Sequence, residues 1–86
     1  MLRVHPSALK HGCTVEGISH AADMALYVGN LDSGGDIPKL LILGPDEAAN
    51  ILELVGGELT DAVLLIWHAM PCRPEYFNLL PRGGDA

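Results

Sequence analysis

Apolar residues along this chain fall into two spacings. Between His5 and Met24 they recur at helical intervals, and from Ala25 to Met70 they gather into four short runs divided by turn residues. "HPSALKHG" (5–12) predicts a short first helix, with Pro6 at its first position and Gly12 just past its end. "CTVEGISHAADM" (13–24) predicts a second, capped by Thr14, with Val15, Ile18 and Ala22 as its apolar stripe. The four runs "ALYVGNL" (25–31), "PKLLILG" (38–44), "ILELV" (51–55) and "AVLLIWHAM" (62–70) predict strands. "DSGGD", "PDEAAN" and "GGELTD" read as the turns between them. Pro71 stops the last strand, "RPEYFNLL" (73–80) predicts a short closing helix, and 81–86 is read as a loose tail.

The expected fold is therefore α+β in one domain spanning 1–86, with its folded core at 5–80. Two short N-terminal helices precede an antiparallel sheet of three or four strands, and a short helix closes it. The fourth strand is expected to be central or nearly so. "LLIL" and "VLLIW" do not alternate, which makes both faces of those strands apolar. Two small helices cover one face, so an apolar area is left for a second copy or another protein. The expected association is a homodimer, or a complex whose partner covers the sheet or adds a strand to its edge.

Charge narrows the function. Eleven acids against five bases give a net charge of −6, in a chain that is 49% hydrophobic. Nucleic-acid affinity rests largely on Lys and Arg, so any RNA chemistry needs a local basic patch. Arg3, Lys10 and Arg73 lie near the two ends of the chain, where the fold could gather them. No signal-peptide core and no stretch of about 20 apolar residues is present, so a cytoplasmic protein with no membrane partner and reduced Cys13 and Cys72 is expected.

The densest chemistry is "HAMPCRPEYF", residues 68–77. By the period of two, His68 shares a strand face with Leu64, Ile66 and Met70, and Trp67 shares the other with Ala69. Arg73 and Tyr76, three apart, share a helix face, and Lys10 with His11 ends the first helix. These residues form either one polar site or three unrelated local roles. In the second case His68 bonds backbone at a strand end, Arg73 meets solvent or an acid, and Tyr76 packs. His5 reads as a cap or exposed residue and His20 as a boundary residue. Cys72 beside Arg73 has a setting that could lower a thiol pKa, although packing is the usual role of a single Cys. Cys13, Cys72, His11 and His68 lack the close Cys-x-x-Cys spacing of structural zinc sites, and no metal or cofactor is expected.

The order "KHG", "TVEGISHA", "ILGPD", "NILELV", "HAMPCRPEYF" resembles the BrnT-like toxins of type II toxin–antitoxin systems over most of residues 5–80. The resemblance implies a fold like that of RelE ribonucleases and a metal-independent, RNA-cleaving toxin held inactive by an antitoxin protein. It also implies a catalytic set of His68, Arg73, Tyr76, Lys10 and His11. The histidines would move protons at the 2′-hydroxyl and the leaving oxygen, and Arg73 would stabilise charge on phosphate. That family is usually basic and its last strand Arg-rich. The acidic balance here favours a second reading, a non-catalytic, degenerate toxin-like interaction module. A third reading is a toxin that poisons DNA gyrase by binding.

Overall fold

The computed structural model describes residues 1–31, 38–60 and 62–81. The turn expected at 32–36, Asp61 and the tail after Pro81 lie outside them. Among the described residues no helix is long and apolar enough to cross a membrane.

The chain is a small α+β protein built on one five-stranded mixed sheet. In sequence order the strands are β1 (Leu2–Val4), β2 (Tyr27–Leu31), β3 (Lys39–Pro45), β4 (Ile51–Thr60) and β5 (Val63–Pro71). The order across the sheet is β1-β5-β4-β3-β2. β2 through β5 form an antiparallel meander, and β1 lies parallel to β5, with Leu2, Arg3 and Val4 opposite Leu64, Leu65 and Ile66. Among the described residues the remaining elements are one α-helix, α1 (Val15–Asp23), and two short 3-10 helices (Pro6–Leu9 and Pro74–Leu79).

This corrects the expected architecture in three places. The sheet has five strands and is mixed, because the three residues "LRV" ahead of Pro6 pair with β5. The first and last expected helices are short 3-10 helices of four and six residues. Each begins at a proline and is too short to sustain α-helical bonding. "GGELT" is the second half of β4, not a turn. It stays in the sheet through irregularities at Val55/Gly56 and Glu58/Thr60. Gly56 is required there, since a Cβ would collide with the Leu65 carbonyl oxygen. β5, the fourth expected strand, is second from the edge.

Local chemistry sets the ends of α1. The Thr14 hydroxyl accepts the Gly17 N–H at 2.9 Å, satisfying a donor that the helix start leaves unpaired. The buried positions of α1 are Gly17, Ile18 and Ala21, whereas Val15 is 46% exposed, so the stripe is rotated from the expected one. Ile18 and Ala21 pack on Ile42, Leu52, Leu54, Ile66 and Ala69, with Ala8 of the first 3-10 turn beside them. Full burial of a side chain such as Ile18 contributes roughly 1.5–3 kcal/mol. Gly44 allows the close approach, because a Cβ there would strike the Ala21 carbonyl oxygen. The β3–β4 turn is fixed by Asp46, whose carboxylate accepts the Ala48 and Asn50 N–H groups at 3.0 and 2.8 Å. Those bonds, the Asn50 backbone one foremost, hold the Asp46 pKa below its ordinary value.

Candidate functional site

A single irregularity in β5 builds the site. Val55 of β4 faces His68, but its neighbour Gly56 faces Ile66, so Trp67 is an extra residue in the ladder. The alternation of side chains therefore shifts by one. Ile66 and Ala69, three apart, both enter the core beneath α1. His68 turns to the opposite face, where it meets Glu53. The expected sharing of a face by His68 with Leu64 and Ile66 is thus corrected, and so is that of Trp67 with Ala69.

Glu53 is the centre of the arrangement and, among the described residues, the one charged residue buried completely, with 0% of its surface exposed. It sits mid-strand in β4 opposite Met70 and Leu43. Its Oε1 accepts the Arg73 backbone N–H at 2.9 Å and the Arg73 Nε–H at 3.1 Å. Its Oε2 accepts Arg73 Nη2–H at 2.8 Å and Nε–H at 3.2 Å, and lies 3.3 Å from His68 Nε2. The guanidinium thus grips the carboxylate with two nitrogens, the geometry for which its planar fork is suited. Pro71 and Pro74 position Arg73. The chain leaves β5 at Pro71, the Cys72 N–H donates to the Ile51 carbonyl at 2.9 Å, and the second 3-10 turn begins with Arg73 as its cap.

Burial alone would raise the Glu53 pKa. The hydrogen bonds from the Arg73 side chain, then its backbone, then His68, overcome burial and leave the carboxyl below its ordinary value. The same hydrogen bonds and charge raise the Arg73 pKa. Carboxylate and guanidinium are therefore a fixed ion pair with no net charge.

Four of the five residues expected to form a site stand around Glu53. His68 and Arg73 touch it directly. His11 approaches His68 edge to face, with ring centroids 5.8 Å apart, and the Arg73 guanidinium lies 5.5 Å from the Tyr76 ring centroid, within cation–π range. Lys10 does not join them: it is the exposed C-cap of the first 3-10 turn and forms no ion pair with a described residue. His5 caps that turn, its Nδ1 accepting the Ser7 N–H at 3.1 Å. His20 is a boundary residue, its Nδ1 2.7 Å from the Pro45 carbonyl oxygen.

The Cys72 thiol is pushed up by burial and then by the Glu53 charge, which together outweigh the lowering by Arg73. The lowering that the adjacent Arg73 could bring is cancelled by burial and by the acid that pairs with that arginine. Burial, then the Asp46 charge, raises Cys13 likewise. Neither thiol is primed as a nucleophile.

Glu53 was not among the residues singled out from the sequence. In "ILELV" it reads as the outward polar position of a half-exposed strand. The available signal was its setting between two leucines in a chain whose neighbouring strands are apolar on both faces. Comparison with family models, curated proteins and solved structures found no match.

Proposed function

We propose that this chain is a non-catalytic protein-interaction module. One observation carries the reading: the fully buried carboxylate of Glu53 takes up both Nε and Nη2 of Arg73 and approaches Nε2 of His68. A group that stabilises charge on a scissile phosphate must have donors free to face it. Here the best phosphate ligand of the cluster already holds a carboxylate, in a chain of net charge −6. The cluster acts as a clasp that pins the segment after β5 to the middle of β4.

A second reading, the RNA-cleaving toxin of the BrnT-like resemblance, is favoured by the pairing of exposed His11 with His68. Two imidazoles at that separation can serve as proton donor and acceptor for 2′-hydroxyl attack. The readings part in one experiment. The purified chain is incubated with total RNA, and the chain is also induced in cells with RNA integrity and growth followed. An interaction module leaves RNA intact and growth unchanged. Cleavage that His68→Ala abolishes, with the circular dichroism spectrum unchanged, would overturn the proposal in favour of the toxin.

A further inference from the structure

The helix-side face of the sheet is wider than α1. Its five strands, spaced about 4.8 Å apart, span roughly 19 Å, and α1 lies towards the Pro45 end of β3, where Gly44 meets Ala21 and the Pro45 carbonyl meets His20. α1 packs mainly on β3 and β4. Beside it a groove of about 710 Å³ crosses the sheet. Leu2, Leu64, Leu40, Ile42 and Val28 form its floor, with one or two residues from each of β1, β5, β3 and β2. Val28 is 58% exposed despite lying in a strand. Asp23, at the end of α1, and Glu58, on β4, line the groove as well, and both are exposed. Among the described lining residues there is no Lys or Arg; the Met1 ammonium, which donates to the Ala62 carbonyl, stands against the two carboxylates, and His20 lies on the α1 side.

We infer that this groove binds an amphipathic helix of a basic partner, laid across the strands beside α1 with its apolar side on the Leu–Ile–Val floor and its lysines or arginines against Asp23 and Glu58. The inference rests on the interaction-module reading and names the surface and the partner's chemistry. The roughly 19 Å span of the sheet holds about 13 helical residues at 1.5 Å each. The floor supplies the apolar contacts a helix makes at every third or fourth position. The sign of the rim selects the partner: acids on the groove and a net charge of −6 favour a cationic segment and disfavour a second copy of the same acidic chain.

The test uses the whole chain and a synthetic peptide of about 13 residues, with leucines at helical spacing and lysines flanking them. A twin carries glutamates for the lysines. Calorimetry should show saturable binding of the basic peptide, at least about tenfold tighter than the acidic twin and weakened by salt. Val28→Asn, at an exposed position, should weaken binding about tenfold, the effect of one lost apolar contact of about 1.4 kcal/mol. Asp23→Lys with Glu58→Lys should reverse the preference between the peptides. Each variant's near-ultraviolet circular dichroism shows that the fold is kept. Equal affinity for the two peptides, no saturation by the basic one, or indifference to Val28→Asn would overturn the groove assignment. Self-association of the chain that Val28→Asn abolishes would make a second copy the occupant and overturn it too. RNA cleavage by the intact chain would instead strike the interaction-module reading, whatever the peptides do.

Discussion

Replacing Glu53 by Gln isolates the charge at the centre of the clasp, because the two side chains have the same shape. Glu53 Oε1 accepts two donors and Oε2 accepts two more, besides its contact with His68. In the variant one oxygen remains an acceptor and the other becomes an NH2 group, which meets the Arg73 fork donor to donor. Two of the four bonds from Arg73 survive on the remaining oxygen, and the attraction between opposite charges is gone. Breaking a fully buried pair costs about 3–5 kcal/mol when the survivor is trapped. Here the surviving Arg73 side chain is 44% exposed and can turn to water, so the loss should fall near 2 kcal/mol. The total stability of a chain this size is roughly 4–13 kcal/mol, so the variant should still fold. Urea unfolding at pH 7 followed by circular dichroism measures the difference, and heating should show a midpoint lower by roughly 10 °C. A change below about 0.5 kcal/mol would mean that the clasp is no stronger than a surface pair and would refute the reasoning.

Three further outcomes follow from the same structure. Because the Glu53 pKa is depressed by folding, its contribution is complete above the unfolded carboxyl pKa and is lost as pH falls through the lower folded value; acid titration of unfolding should therefore be shallower in Glu53→Gln than in the parent. Thr14→Ala removes the cap of α1 and should lower stability by about 1 kcal/mol, read by the same urea titration. Ala49 holds φ at +68° in the β3–β4 turn, a conformation that strains a side chain, so Ala49→Gly should raise stability by about 0.5–1 kcal/mol, and a loss would contradict the strain.

The strands that were legible were those with dense apolar content and clear punctuation. β3 is marked by "LLIL" between Pro38 and Gly44-Pro45, β5 by "VLLIW" ahead of Pro71, and α1 by Thr14 ahead of helical spacing. What escaped was short or depended on pairing. β1 is three residues long and is a strand only because residues 64–66 of β5 offer it an edge to pair with. The bulge at Trp67 cannot be read from β5 alone, because it belongs to the register against Val55 and Gly56 of another strand. That single residue decides which face His68 joins. The polar cluster was legible as a density of His, Arg and Tyr near Pro71, but its organising acid lies fifteen or more residues away, inside an apolar run. Residue types revealed that donors would gather there, and only the fold revealed the acceptor that occupies them.

The central claim is that Arg73 serves Glu53 and not a phosphate. Nitrogen–proton correlation spectra of the Arg73 Nε–H, recorded while inorganic phosphate and then a short RNA are added, test it most directly. The account expects a slowly exchanging Nε–H signal that neither ligand moves, and one that is lost to rapid exchange in Glu53→Gln. A saturable shift of the Arg73 signal in the parent protein, at phosphate or RNA concentrations that leave the other guanidinium groups unmoved, would contradict it.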